Sequence, residues 1–284
     1  MERLHGAIAA AVTPLKDGGR SLDPDSFAPL VGFLAGGGVD GLLACGTTGE
    51  GVLLTVDERR RVAEAFMAVR PSGFQVAVHA GAQTTRDTVA LAAHALEIGA
   101  DAVAVIAPPY FPLGSRELFD HFRSAADACD PTPFYVYEFA ARSGYTIPVD
   151  VVRQLRRQQR NVAGMKVSDT PFDAIEPYLV DSMDVFVGSE PLVRAAMERG
   201  AVGAVSGLAT AWPEVVAALV HDHSPEAHLR VTELRERLAG IPFHAALKRV
   251  LTDRGVLLHA DVRPPLRGLT LEERTAVSTL VPTA

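Results

Sequence analysis

The sequence lacks the features that mark several classes of protein. Its two cysteines, Cys45 and Cys129, are too few for a disulfide framework or a cysteine metal cluster. No apolar run approaches the roughly 18 residues of a membrane span, and the N-terminal residues lack the pattern of a secretory signal. No run of five or more basic residues accompanies the net charge of −7. We therefore expect a cytoplasmic protein with no nucleic-acid or membrane partner.

Apolar sequence, by contrast, is abundant enough for one large core. Of the 284 residues, 48% are hydrophobic and 21% are charged, which is ordinary for a globular protein. A length of about 150 residues per domain would suggest two domains, but α/β barrels commonly run to about 250 residues as one.

Short β-rich runs alternate with amphipathic stretches through the first three quarters of the chain. Phe27, Leu30, Val31 and Leu34 show the spacing of a helix that buries one face. Eight alternations predict a parallel sheet covered by helices, and eight strands close a (β/α)8 TIM barrel. An open doubly wound sheet is the alternative, but its first turn is usually glycine-rich, whereas Thr13-Pro14 stands here. The predicted strands are 6–12, 41–44, 75–79, 102–107, 134–137, 162–166, 185–188 and 202–206, and the helices between them include 24–35, 56–69, 85–98 and 191–199.

After about residue 212 the alternation stops, and helices alone are predicted. We expect a barrel over residues 1–212 and a helical extension of the same domain over 213–284. The predicted helices of this extension are 213–221, 226–239, 244–253 and 271–280.

Chemistry in such a barrel is expected where the strands end, because the active site lies at their C-terminal side. Lys166 closes the sixth strand and faces either the barrel mouth or solvent. If it faces the mouth, burial disfavours its ammonium form, and a neutral amine can attack a ketone to form an imine. Tyr137 ends the neighbouring fifth strand and is either a proton relay for that chemistry or an ordinary packed tyrosine.

The string Gly46-Thr47-Thr48-Gly49-Glu50 follows the second strand and is the most distinctive in the chain. Small residues allow backbone N–H groups to approach an anion, and the threonine hydroxyls add further donors. The loop therefore suits a carboxylate, although a simple strand-to-helix turn would also account for it.

Together these residues resemble the dihydrodipicolinate synthase / N-acetylneuraminate lyase family of class I aldolases. The resemblance covers nearly the whole length of the chain. It rests on a set of motifs in a fixed order: Thr13-Pro14, the Gly-Thr-Thr-Gly-Glu loop, Tyr137 with Arg142 and Gly144, Gly164-Met165-Lys166, Gly188, Gly203 to Gly207, and Arg263-Pro264-Pro265-Leu266.

The resemblance implies a (β/α)8 barrel with a C-terminal helical extension, which assembles as a homotetramer, a dimer of dimers. It implies that Lys166 forms a Schiff base with pyruvate or another 2-oxo acid, while Tyr137 moves the proton. Thr47 and Thr48 would bind the carboxylate of this acid, and Val205 would line the same pocket. We also count Thr48 among the catalytic residues. No metal or organic cofactor is implied, because the lysine supplies the electron sink.

Four positions depart from the pattern of the family or bear on the substrate. Phe111 stands where 4-hydroxy-tetrahydrodipicolinate synthase has a relay tyrosine, and phenylalanine cannot pass a proton. Glu138 replaces a common asparagine and either reaches sugar hydroxyls or points outward. Glu190 matches a position that holds substrate hydroxyls in sugar-cleaving members, and it would also suit a helix cap. Arg142 matches the arginine that binds a distal carboxylate in the synthase.

We predict a Schiff-base lyase that acts on a 2-oxo-3-deoxy sugar acid or a related hydroxylated 2-oxo acid. Retro-aldol cleavage and dehydration remain open. The alternative is 4-hydroxy-tetrahydrodipicolinate synthase, which condenses pyruvate with aspartate semialdehyde; Phe111 argues against it and Arg142 for it. A second alternative is a catalytically silent barrel that binds 2-oxo acids, against which the intact set of lysine, tyrosine and threonines argues.

Overall fold

The computed structural model of the chain describes residues 3–179 and 183–281. Within them, eight parallel strands close into a barrel, which confirms the predicted (β/α)8 fold. The eighth strand pairs with the first, with Ile8 opposite Val205, so the described sheet has no free edge. The strands are β1 Gly6–Ala10, β2 Gly41–Ala44, β3 Gln75–His79, β4 Ala102–Ile106, β5 Phe134–Glu138, β6 Val162–Val167, β7 Asp184–Val187 and β8 Gly203–Ser206.

Helices cover the outside of the barrel. Their bounds are α1 Phe27–Gly36, α2 Val56–Val69, α3 Thr85–Glu97, α4 Ser115–Ala128, α5 Ala140–Ser143, α6 Val149–Gln158, α7 Glu190–Met197, α8 Pro213–His221, α9 Pro225–Arg237, α10 Phe243–Asp253 and α11 Leu271–Ser278. The connection from β6 to β7 differs: its described residues form two 3-10 turns, Phe172–Ala174 and Glu176–Tyr178, in place of an α-helix. No helix among the described residues is long and apolar enough to cross a bilayer.

Alternation along the strands separates two apolar clusters. Side chains that point outward pack under the helices in the larger cluster, as the two-residue period of a strand requires. Inward-pointing side chains form a smaller cluster in the barrel centre, where several alanines surround the rings of Tyr135 and Phe186, 5.7 Å apart. The barrel is therefore filled below its mouth, as expected of this fold, and open space lies at the C-terminal ends of the strands.

The boundary predicted between barrel and extension lies at residue 212, but α8, the first helix after it, still packs on the barrel. Helix α8 lies against β1 and β8, while α9 packs against α7 and α8, and α10 pairs with α11. The indole Nε1 of Trp212 donates to the carbonyl of Leu280 over 3.4 Å, which ties the end of the extension to the start of α8. These contacts bring the extension beside the barrel.

Candidate active site

A cavity of about 420 Å³ opens where the barrel strands end, and it gathers most of the predicted site residues. Strands β5 and β6 pair in register so that Tyr137 lies opposite Lys166. This pairing brings two side chains 29 positions apart in sequence to the same side of the mouth. The predicted residues that line the cavity are Thr47, Thr48, Tyr137, Arg142, Lys166 and Val205.

Lys166 is the lysine of the cavity. The sequence has only two other lysines, Lys16 and Lys248. Lys16 is half-buried in a two-stranded hairpin, and the ammonium of Lys248 is fully buried 2.6 Å from a carboxylate oxygen of Glu50. Lys166 is 6% exposed, and its Nζ lies 4.1 Å from the centroid of the Tyr137 ring. Its amine is thus shielded from bulk water yet borders the cavity.

The hydroxyl of Tyr137 lies 3.2 Å from Oγ1 of Thr47. This contact suits a proton relay, since either hydroxyl can donate to the other. The contact belongs to Thr47, whereas our sequence prediction placed Thr48 among the catalytic residues. Thr48 is buried and lines the cavity, but no hydrogen bond to Tyr137 from it is found among the described residues.

A neutral histidine packs behind the tyrosine. The ring of His79 meets that of Tyr137 edge to face, with centroids 5.8 Å apart. Burial, with the nearby positive charges of Arg59 and Lys166, holds the pKa of His79 well below its ordinary value. Its Nδ1 donates to the carbonyl of Cys45 over 3.2 Å, and its Nε2 accepts the N–H of Ile106 over 3.3 Å. The imidazole therefore fixes the tyrosine without adding a charge.

The threonine loop is held from several sides. Thr13 donates its hydroxyl to the carbonyl of Gly49 over 2.6 Å. Glu50 adopts a left-handed backbone with φ 57°, and its carboxylate accepts the N–H of Arg263 over 2.6 Å in addition to pairing with Lys248. His244 donates from Nε2 to the carbonyl of Thr47 over 2.9 Å. The helical extension thus fixes the loop that faces the cavity.

Arg142 reaches the cavity from the short helix that follows β5. Its guanidinium lies 5.5 Å from the centroid of the Phe139 ring and is otherwise exposed. Glu138 takes the opposite face of β5 and is fully buried between barrel and helices, where its Oε2 accepts the N–H of Ile147 over 3.0 Å. Glu138 therefore does not line the cavity and matches the outward position, where its partner is a backbone N–H and no base pairs with it among the described residues.

Glu190 does not line the cavity, contrary to our expectation that it contacts substrate. Its side chain is fully buried behind the wall. Oε1 accepts the hydroxyl of Ser206 over 2.6 Å and the N–H of Leu208 over 3.1 Å, while Oε2 accepts Nε of Arg235 over 2.6 Å. Burial alone would raise the pKa of Glu190, but the charge of Arg235 and the hydrogen bonds from Ser206 and Leu208 hold it below its ordinary value. The ionised Glu190 therefore holds Arg235, Ser206 and the N–H of Leu208 in place.

The structure adds lining residues that sequence reasoning missed. Arg235 and His244 come from the extension, while Ser168 and Thr170 follow β6. These residues lie outside the motifs, and the extension meets the barrel only through folding. A weak signal was present for His244, which stands four residues before Lys248 on one face of a helix.

The fold and the cavity together define an aldolase-type lyase on a (β/α)8 barrel, with a buried lysine at the end of the sixth strand. The sequence matches the dihydrodipicolinate synthetase family over residues 3–284. The chain belongs to this family, and it is an enzyme of the Schiff-base lyase class.

Individual relatives agree with this assignment. The chain is 34% identical over 285 residues to an uncharacterized DapA-like lyase of Halobacterium salinarum, covering 96% of this chain and 92% of the relative. Among solved structures, dihydrodipicolinate synthase of Aquifex aeolicus superposes with a TM-score of 0.91 at 28% identity, covering 98% and 97% of the two chains. Sialic acid aldolase of Ruminococcus gnavus superposes with a TM-score of 0.90 at 25% identity, covering 99% and 96%. The relatives thus carry the names of two different reactions.

Proposed function

We propose that this protein is a class I lyase that forms a Schiff base through Lys166 with pyruvate-type 2-oxo acids, and that its substrate is a 2-oxo-3-deoxy sugar acid or a related hydroxylated 2-oxo acid. The observation that carries the proposal is the position of the Lys166 amine, buried at the cavity beside Tyr137. The other two lysines of the chain are engaged elsewhere or lie in the hairpin.

The chemistry assigns one role to each group. The amine of Lys166 attacks the C2 ketone of the bound acid, and water leaves as the imine forms. Tyr137 donates and accepts the protons of these steps, with Thr47 as its hydrogen-bond partner. The protonated imine then accepts an electron pair to become an enamine: that of the C3–C4 bond in retro-aldol cleavage, or that of a C3–H bond in dehydration, after which the C4 hydroxyl leaves as water. Thr47, Thr48 and the backbone beside Val205 hold the C1 carboxylate, and no metal or organic cofactor takes part.

Hydroxyl groups of a sugar acid have candidate partners in the cavity. Ser168, Thr170 and Ser189 line it together with the lysine, and each can donate to or accept from a substrate hydroxyl. Phe111, which stands in place of the relay tyrosine, carries no hydroxyl that could pass a proton. Both observations favour a hydroxylated substrate over aspartate semialdehyde.

A second candidate is 4-hydroxy-tetrahydrodipicolinate synthase, the activity named for several relatives. Arg142 supports it, because its exposed guanidinium at the cavity can bind the carboxylate of aspartate semialdehyde. Steady-state kinetics with pyruvate and aspartate semialdehyde, compared with 2-oxo-3-deoxy sugar acids, would separate the two.

The Schiff base is tested by borohydride reduction in the presence of pyruvate, followed by intact-protein and peptide mass measurement. We expect one adduct with the mass of reduced pyruvate on the peptide that contains Lys166. Lys166→Ala should abolish this adduct, and the matched control Lys16→Ala should retain it. No adduct on the wild type, or an adduct that persists in Lys166→Ala, would overturn the proposal.

The assembly and the location remain proposals as well. We propose a homotetramer, a dimer of dimers, in the cytoplasm. Val52, Tyr110 and Phe111 are large apolar side chains exposed by 79%, 81% and 67%, and contact with a second copy would cover them. Sedimentation equilibrium tests the assembly, since a monomer would refute it, and cell fractionation tests the location.

A further inference from the structure

We infer that Arg235, held in place by the buried Glu190, binds a second anionic group at the far end of the substrate, so that the site takes a 2-oxo acid with a distal carboxylate or phosphate. The inference rests on the proposed Schiff-base function, because it assumes that the first carboxylate lies at the threonine loop.

The charges that line the cavity have one sign. Arg142, Lys166 and Arg235 line it together with His244, and no aspartate or glutamate is found among the described lining residues. The chain as a whole carries a net charge of −7, so the cavity is opposite in sign to the average surface. A cationic pocket on an acidic protein concentrates anions. Because one carboxylate is assigned to the loop, the two arginines remain for the rest of the substrate.

Arg235 is the better fixed of these two arginines. Its Nε and Nη2 both lie 2.6 Å from Oε2 of Glu190, and its guanidinium lies 4.5 Å from the centroid of the Phe243 ring. Arg142, by contrast, is exposed and has no side-chain hydrogen bond within the described part of the chain. An arginine that is already ordered loses less side-chain entropy when it binds a ligand.

The contact with Glu190 uses only one edge of the guanidinium. Nε and one hydrogen of Nη2 face Glu190, and Nη1 has no acceptor among the residues that the structure describes. The pair Nη1 and Nη2 is the edge that forms two parallel hydrogen bonds with a carboxylate or a phosphate. The side chain of Arg235 is one third exposed and lines the cavity, so a ligand there can approach its guanidinium.

Glu190 has no other task at the cavity. A fully buried carboxylate is costly unless charged and hydrogen-bonded partners compensate it. The carboxylate of Glu190 accepts hydrogen bonds from Arg235, from the hydroxyl of Ser206 and from the N–H of Leu208. It thus joins the arginine to the turn after β8, next to Val205, and acts as a positioning residue for Arg235.

The test compares simple 2-oxo acids that differ only at the far end. Affinity is measured from the concentration dependence of borohydride trapping for 2-oxoglutarate, 2-oxoadipate and 2-oxopimelate, each against the monocarboxylate of the same chain length. A 2-oxo-3-deoxygluconate and its 6-phosphate form the phosphate pair. We expect the wild type to bind at least one distal anion about 10- to 100-fold more tightly than its uncharged partner, which is typical of a charge-assisted contact. The pair that shows the preference identifies carboxylate or phosphate.

Three variants assign the preference. Arg235→Gln, which can still hydrogen-bond Glu190, should abolish the preference, which is a ratio of affinities measured within each variant. Arg235→Lys should recover part of it. Arg237 lies two residues further along α9, and its guanidinium contacts Glu233 and Thr279 outside the cavity. The control Arg237→Gln should therefore behave as wild type. Pyruvate trapping also reports that each variant has folded.

Two results would overturn the inference. The first is equal affinity for charged and uncharged partners at every chain length, and the second is a preference that survives in Arg235→Gln. In both cases pyruvate is still trapped, and the proposed function stands. A wild type that traps no pyruvate would instead refute the proposed function, and the inference would fall with it.

Discussion

Replacement of Glu138 by glutamine should stabilise the protein at neutral pH. Glu138 is fully buried, and burial raises the pKa of its carboxyl to about 8. The negative charge of Asp169 adds to the rise, although the N–H of Ile147, which donates to Glu138, opposes it in part. The folded protein therefore keeps a proton on this group that the unfolded chain releases near its ordinary pKa of 4.5.

The magnitude follows from these two pKa values. Each unit of difference corresponds to about 1.36 kcal/mol, so at pH 7 the retained proton lowers the free energy of unfolding by about 3 kcal/mol. The contribution is absent below pH 4.5, grows as the pH rises, and levels off above about pH 8. Glutamine has the shape of the protonated acid and accepts the same hydrogen bond, yet it has no proton to lose. The advantage of Glu138→Gln should therefore appear only above pH 4.5.

Urea unfolding at a series of pH values between 4 and 9 measures this difference. Wild type and Glu138→Gln should have similar free energies of unfolding at pH 4, and the gap should widen by about 1.4 kcal/mol per pH unit up to pH 7. Glu236→Gln, an exposed position on α9, is the matched control and should follow the wild type. Parallel curves for wild type and Glu138→Gln would refute the reasoning.

Three further changes test other parts of the structure. Gly188→Ala should slow imine formation with pyruvate about 100-fold in a trapping assay, because the new methyl group would overlap Oγ of Ser168 and lie 3.1 Å from Cε of Lys166, so that both cavity side chains must shift. Between pH 6.5 and 4, His121 should cost the wild type about 3 kcal/mol of its free energy of unfolding in urea. His121→Leu should lack this acid-dependent loss. Burial lowers the pKa of His121 to about 4, so the unfolded chain takes up a proton that the folded protein does not. Lys248→Met should lower the free energy of unfolding by about 3–5 kcal/mol, because it leaves the buried carboxylate of Glu50 without its partner.

Each of these changes has a control. Gly32→Ala adds a methyl group to α1 with no atom within 4 Å, and it should leave trapping unchanged. His259→Leu replaces an exposed histidine and should keep the acid sensitivity of the wild type. Lys16→Met should leave stability nearly unchanged. Normal trapping by Gly188→Ala, an unaltered pH dependence for His121→Leu, or wild-type stability of Lys248→Met would contradict the corresponding prediction.

The sequence predicts the barrel well because the information for it is local. Short apolar strand runs and helices of 3.6-residue period are visible within short windows, and the predicted strands 41–44 and 75–79 coincide with those of the structure. The helix predicted to start at 24 begins instead with a 3-10 turn at Pro24, so that α1 starts at Phe27. Such boundaries depend on capping contacts that a periodic pattern does not contain.

Motifs also located the centre of the candidate site, because the lysine, the tyrosine and the threonines stand at strand ends that the closed barrel brings to one mouth. The direction of a side chain at a strand end is a different matter. Glu138 and Tyr137 are adjacent, yet one is buried behind the barrel and the other faces the cavity, as alternation along a strand requires. The motif comparison predicted that Glu190 contacts the substrate, whereas in the fold its carboxylate pairs with Arg235.

The sequence by itself determined the fold class, the family and the placement of Lys166 and Tyr137, since each depends on residue type and spacing along the chain. Only the tertiary structure decided which threonine meets Tyr137 and that Glu190 lies behind the cavity wall. It alone brought Arg235 and His244 from the extension to the mouth. The physical reason is that these contacts join segments far apart in sequence, and they form only when the helices of the extension pack against a closed barrel.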